Sequence, residues 1–271
     1  MRPRPVVSPR DLIVIVVALG LLGFFDGFAR PAVVAYEHIA FAVAPSPARA
    51  DAYGHRHLDA REYPALYDID RAEYFYKELE KIDPTYPYLY HQLARIEFLR
   101  GHFHDALSYI NKEIAAHGAD EPNTYYVRGL IEGYMGRYDQ AVDDYAIFLK
   151  TNPNNWAAIN DYAWVLLKAN QPEEALEVLE NGPLGHTIPN AWLLNSKAIA
   201  LYELGRIPEA LEAVTAASAL AENVKEADWL KAYPGNDPKI AGQGIDALKR
   251  SIEKNRTAIE LALSSSFPQK K

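Results

Sequence analysis

The chain has 271 residues, 49% of them hydrophobic and 24% charged, the balance of a globular protein with room for one or two cores. A formal net charge of -8, with no basic stripe interleaved with aromatics, excludes nucleic acid as a partner because a phosphate backbone would be repelled. Cysteine is absent, which removes thiolate metal sites, disulfides, thiol nucleophiles and cysteine-linked lipids.

At the N-terminus Arg2, Arg4 and Arg10 precede an uncharged run from Leu12 to Phe25. A bilayer-spanning helix needs about 20 apolar residues. Extension through Gly27, Phe28 and Ala29 makes the run long enough. Residues 1–30 therefore read as a signal anchor, a single transmembrane helix with its N-terminus cytoplasmic and the rest of the chain extracytoplasmic. The alternative is a signal peptide cleaved near Gly27 or Ala29, with secretion of the remainder. The anchor is preferred because a second apolar patch, Pro31 to Pro45, follows at once and no cut site is clean. Residues 31–52 are expected to be a linker.

Beyond it one pattern recurs. "GHFHDALSYI" begins at Gly101, "GRYDQAVDDY" at Gly136, "NQPEEALEVL" at Asn170 and "GRIPEALEAV" at Gly205, with a weaker copy, "YDIDRAEYFY", at Tyr67. The alanine in each copy is Ala72, Ala106, Ala141, Ala175 and Ala210, in steps of 34, 35, 34 and 35. Twelve residues upstream of each lies a second small residue: Ala60, Ala94, Gly129, Ala163 and Ala198. Each copy supplies two stretches of helix length, and a small residue on each lets the two approach closely. Tyr138 and Tyr145 are expected to fill the space around the Gly129–Ala141 notch. Gly136 is expected to close the first helix in the left-handed conformation, and Asn152-Pro153 to stop the second.

The run "TYYVRGLIEGYMGRYDQAVDDYAIFLKTNP" and its copies resemble the tetratricopeptide-repeat family, whose unit is a helix–turn–helix of about 34 residues. The resemblance spans Tyr53 to Glu222, as one degenerate and four good repeats. Asn170 and Pro172 depart from the pattern in the third good copy, and Pro64 is expected to interrupt the leading helix of the degenerate one. It implies an all-α, right-handed superhelical solenoid, here preceded by the transmembrane helix. Residues 223–263 are expected to form capping helices, with Ile245, Leu248, Ile252 and Ile259 on one stripe, or else an amphipathic helix for a membrane or partner. Residues 264–271 read as a polar tail.

The resemblance further implies a concave groove, lined by the leading helices, that binds a protein or peptide partner. Three registers along those helices hold His91, Tyr126, Asn160 and Asn195; Arg95, Leu130, Trp164 and Ile199; and Tyr88, Asn123, Ala157 and Trp192. The partner-binding residues expected from them are Tyr88, His91, Arg95, Tyr126, Asn160, Trp164, Trp192 and Asn195. Asparagine can donate and accept along a peptide backbone, and the aromatics give large contacts at low entropic cost. The two tryptophans have an alternative role as filler between repeats. A clamp for acidic chaperone tails is disfavoured, since these registers hold no lysine.

Catalytic signals are thin, and no enzyme, cofactor or metal site is expected. His55/His57 and His102/His104 read as solvated turn histidines, because residues two apart on a helix face different ways. Glu173-Glu174 suits a helix N-terminus, and Asp143-Asp144 reads as a solvated face. The function expected is a membrane-tethered interaction scaffold. The alternatives are an exported subunit that self-associates and a regulator of an envelope enzyme. The oligomeric state is open.

Overall fold

The computed structural model describes residues 26–118, 121–181, 190–233 and 235–266, and these contain helices, turns and loops with no strand among them. The run Leu12 to Phe25, and with it the expected anchor, lies outside the described residues. Among the described residues no helix is long and apolar enough to cross a membrane.

The helices are α1 (Asp26–Val43), α2 (Pro47–Leu58), α3 (Ile69–Ile82), α4 (Leu89–Leu99), α5 (Phe103–His117), α6 (Pro122–Tyr134), α7 (Tyr138–Thr151), α8 (Trp156–Lys168), α9 (Pro172–Asn181), α10 (Ala191–Glu203), α11 (Ile207–Ala221) and α12 (Glu226–Ala232). A 3-10 turn (Pro238–Ile240) then leads into the long α13 (Ala241–Ser266). Five hairpins follow one another: α2/α3, α4/α5, α6/α7, α8/α9 and α10/α11. Leading helices α4, α6, α8 and α10 also touch in succession, so they share one face of the stack.

Except for Ala60, which lies in the turn after α2, both small-residue registers sit on the helices that pack together. Ala60, Ala94, Ala163 and Ala198 are fully buried, as are Ala72, Ala106, Ala141, Ala175 and Ala210. At Gly129 a Cβ would come within 3.2 Å of the Tyr145 ring, which is itself fully buried. Gly133 makes the corresponding allowance for Trp164, whose ring a Cβ would meet at 2.8 Å. The hairpin turns have φ of 78° at Gly101, 76° at Gly136 and 73° at Gly205. Asn170 reaches the same region at φ 61°, as the residue type after glycine best suited to it. Helix α7 stops at Thr151, immediately before Asn152-Pro153.

Several expectations need correction. Residues 31–52 are not a linker but most of α1 and the start of α2. Ser46-Pro47 starts α2: the Ser46 side chain accepts from the Arg49 N–H, and proline occupies the first turn. Nor is His57 solvated. It is fully buried, with Nε2 2.8 Å from Glu37 Oε2 on α1 and Nδ1 2.8 Å from the Leu66 carbonyl. Finally, α2 ends at Leu58, so Pro64 falls in the loop before α3 rather than inside a helix.

Asp144 also departs from its expected solvated position. Asp143 is exposed, but Asp144 is 1% exposed and takes a bidentate pair from Arg128, Nε and Nη2 each at 2.7 Å. Next to it lies buried Glu132, whose Oε2 has no hydrogen-bond partner among the described residues. Burial and the Asp144 charge push the Glu132 carboxyl up to about 7, with Arg128 opposing. Between its ordinary 4.5 and about 7 the folded chain therefore holds this proton more tightly than the unfolded chain does, so stability falls as pH rises through that window. Glu132→Gln should remove the penalty, stabilising the protein at pH 8 by on the order of 1–2 kcal/mol and leaving pH 4 nearly unchanged. Thermal melts at both pH values check this, and a gain equal at the two would refute the assignment.

At the C-terminal end α13 packs on α10 and α11, burying Leu248, Ile252 and Ile259 with Ile245 against the same cluster. Helix continues through Ser264, Ser265 and Ser266, the first residues of the expected tail.

Candidate functional site

The face shared by α4, α6, α8 and α10 carries the charges and aromatics that the repeat packing leaves over. Arg95 on α4 is half-buried, bonds Gln92 Oε1 at 2.8 Å, and has no ion-pair partner among the described residues. Burial holds its guanidinium below the ordinary value. On the next leading helix, α6, the Tyr126 hydroxyl donates to Asp161 Oδ2 on α8 at 2.8 Å. Burial pushes the Asp161 carboxyl up to about 6, and it too lacks an ion pair among the described residues. The Tyr126 hydroxyl is raised by burial and by Asp161 and Tyr233, and lowered by Arg95, so these four groups share one electrostatic environment. On α10 Trp192 is 6% exposed, its ring 5.6 Å from Trp156, and its Nε1–H donates to the Tyr233 hydroxyl at 3.0 Å.

The expected partner-binding residues divide on inspection of their contacts. Arg95, Tyr126 and Trp192 belong to this cluster. His91, Asn195 and Trp192 are all buried, so none of the three is open to a partner in the stack as it stands. His91 Nδ1 lies 3.4 Å from Thr124 Oγ1, and burial pushes the ring down to about 3, so it stays neutral in the stack. Asn195 accepts from Asn255 of α13 at 2.9 Å, and Asn160 accepts from Ser196 at 2.9 Å, so both amides tie neighbouring helices together. Tyr88 caps α4 at φ 64°, its ring edge-on to His91 at 5.4 Å. Trp164 is half-buried, 5.5 Å from the Tyr134 ring and over Gly133, which is the filler role.

Two histidine sets gain neighbours that the sequence does not show. His55 lies with Asp59 and Glu62, and His102 with Glu97 and Asp105. Both sets are largely exposed and already engaged internally: His102 Nδ1 is 2.7 Å from Glu97, which also pairs with Arg100 at 3.1 Å.

Tetratricopeptide-repeat profiles match residues 134–187 and 191–214. The chain carries tetratricopeptide repeats. Solved structures of similar fold include PilW, a widely conserved type IV pilus biogenesis factor, at 15% identity and TM-score 0.59, covering 79% of this chain and 96% of that one. PilF of Pseudomonas aeruginosa matches at 15% identity and TM-score 0.54, covering 82% and 93%. A tetratricopeptide repeat protein of Parabacteroides merdae matches at 13% identity and TM-score 0.54, covering 91% and 86%. No curated protein sequence matches the chain. At these identities the likeness is one of fold alone.

Within the tetratricopeptide-repeat solenoid, the residues missed by sequence reasoning are Asp161, Tyr67, Tyr233 and Gly235. Asp161 adjoins the Asn160 register and was one position from being read. The other three lie outside the leading helices, so no repeat register points to them.

Proposed function

We propose that this protein is a non-enzymatic interaction scaffold that binds a peptide segment of a protein partner on the face of α4, α6, α8 and α10. Its N-terminal apolar run tethers it to a membrane, with the repeats on the extracytoplasmic side. The observation that carries the binding role is that Arg95 on α4 and Asp161 on α8, a cation and an anion half-buried on this aromatic-lined face, each lack an ion-pair partner among the described residues. Holding such groups part-desolvated is unfavourable, and an incoming peptide with its own charges and backbone groups offsets that cost. Asn160 and Asn195 act on the stack itself, so their replacement would test stability more than binding. Tethering raises the local concentration of whatever is bound, so modest affinity suffices.

A photo-crosslinking amino acid at Tyr134, which is 57% exposed beside Trp164, should capture a partner in intact cells. Arg95→Ala with Asp161→Asn should cut the yield by about tenfold or more, since each charged contact contributes on the order of 1–3 kcal/mol. An unchanged yield would place the partner elsewhere. Self-association is the second reading, favoured by Tyr36, Ile39 and Val43, which leave 64%, 64% and 78% of their surface exposed along one side of α1. Light scattering separates the two.

A further inference from the structure

A stretch of the chain itself already lies on the proposed binding face. Two residues that follow α12, Tyr233 and Gly235, touch opposite parts of the stack. At one end the Tyr233 hydroxyl accepts from Trp192 Nε1 at 3.0 Å, and at the other the Gly235 carbonyl accepts from the Tyr67 hydroxyl at 2.6 Å. Tyr67 and Gly235 are 168 residues apart in sequence, so this contact spans most of the stack's chain length. Gly235 has φ 95°, and a Cβ there would fall within 2.7 Å of Arg95 Nη2. Only glycine takes that backbone conformation and lets the guanidinium lie against it.

The surrounding charges agree with this placement. Burial, with Asp237 adding to it, pushes the Tyr67 hydroxyl up to about 12. Burial pushes Tyr233 up to about 12 as well, helped by Asp161 and Tyr134 and opposed by its bond from Trp192. So Tyr233 bonds Trp192 and Gly235 bonds Tyr67 beside Arg95, while Asp237 accepts from the Lys239 N–H at 2.9 Å and acts on Tyr67 through its charge. Gly235 is buried and the Tyr233 ring lies 5.3 Å from Trp229 and 6.4 Å from Trp192, yet Tyr233 keeps 37% of its surface in solvent and each end is held by one hydrogen bond.

We propose that Tyr233, Gly235 and Asp237 are a built-in occupant of the binding face, and that the partner segment displacing them has the same chemistry: an aromatic hydroxyl, a glycine two residues on, and a carboxylate two beyond that. The inference rests on the reading of this face as the partner site. Covalent attachment gives the occupant an effective concentration on the order of millimolar, so a partner in trans meets a face that is mostly filled. Its apparent affinity is reduced by the open fraction.

The test is fluorescence anisotropy of a labelled peptide with the sequence of residues 233–239, YPGNDPK, titrated with the full-length chain in mild detergent. Gly235→Ala in the chain should loosen the occupant through the strain of its φ of 95° and by displacing the Arg95 guanidinium, and should tighten peptide binding at least tenfold over wild type. Tyr233→Ala opens the face by a different route and should do the same, which covers a folding defect in the first variant. Adding Arg95→Ala to either opened variant should abolish the gain. Equal affinity for wild type and both opened variants, or a gain that survives Arg95→Ala, overturns the proposal. Should the opened variants ignore the peptide while the Tyr134 crosslink still captures its partner, the occupant idea falls and the scaffold reading stands. Absence of any crosslinked partner, with peptide binding intact, leaves the occupant and removes the scaffold reading.

Discussion

Glu37→Ala will release α1 from the repeats. Glu37 is fully buried, its Oε2 2.8 Å from His57 Nε2, and its other oxygen accepts from Arg56. His57 is held on its far side by the Leu66 carbonyl, which can only accept, so Nδ1 is the donor there and the remaining ring nitrogen depends on Glu37. Removing the carboxylate strands a buried imidazole nitrogen and part of a guanidinium charge, a change that costs about 3–5 kcal/mol in comparable buried pairs. The other ties of α1 lie nearer its surface or are apolar: Phe41 is buried edge-on to Phe75 at 5.7 Å, His38 stacks on Phe75 at 5.3 Å, Arg49 donates to the Ala40 carbonyl at 2.9 Å, and the Arg30–Asp68 pair at 3.3 Å is partly exposed. The loss should therefore appear locally. Amide exchange in α1 should accelerate by about a hundredfold or more, while α6 to α11 stay protected. Glu37→Gln keeps the shape and one acceptor and should cost roughly half as much. Unchanged exchange in α1 would show that the docking rests on the apolar contacts instead. Because the proposed tether enters the repeats through α1, this buried pair fixes how rigidly the solenoid is held.

The small-residue registers made the stack legible in the sequence. An alanine or glycine at a crossing has one physical meaning, close approach of two backbones, and nine alanines in the two registers are fully buried. Turn conformation was equally legible at Gly136, where a positive φ favours glycine. What escaped was polar and non-local. Glu37 and His57 lie 20 residues apart and meet only because α1 folds over α2, so the first reads as linker and the second as surface. Asp144 alternates with exposed Asp143, and nothing in "DD" tells which carboxylate faces Arg128, sixteen residues earlier. The binding face shows the same limit. The registers placed Arg95, Tyr126 and Trp192 on the proposed face, but the amides expected to meet a partner are bonded to Ser196 and Asn255. A repeat register gives a residue's position on a helix. It does not say whether a neighbouring repeat has already satisfied the side chain.

Glu113→Ala should lower global stability by about 3–5 kcal/mol, because one buried carboxylate does the work of a missing helix cap. Helices α8 and α10 begin at Asn155 and Asn190, whose side chains accept from the N–H groups of Ala158 and Leu193. Helix α4 begins instead at Tyr88, with φ 64° and no side-chain cap bond of its own. Glu113, fully buried on α5, takes over: Oε1 accepts from the Tyr88 N–H at 2.8 Å, and Oε2 from those of Tyr90 at 3.0 Å and His91 at 3.2 Å. A negative charge at a helix N-terminus is favourable in itself, and here it satisfies three donors that would otherwise have no partner. Alanine strands all three; glutamine restores one acceptor but turns an N–H₂ toward donors, and should recover less than half of the loss. The consequence reaches beyond α4. In a repeat stack each hairpin is stabilised by its neighbours, so weakening α4/α5 uncouples α2/α3 from the hairpins that follow. Guanidinium unfolding of Glu113→Ala should therefore show two transitions, the first comprising residues up to α5. A single transition at the wild-type midpoint would mean that α4 keeps its first turn without the carboxylate, and that Arg95 needs no such support to hold its place on the binding face.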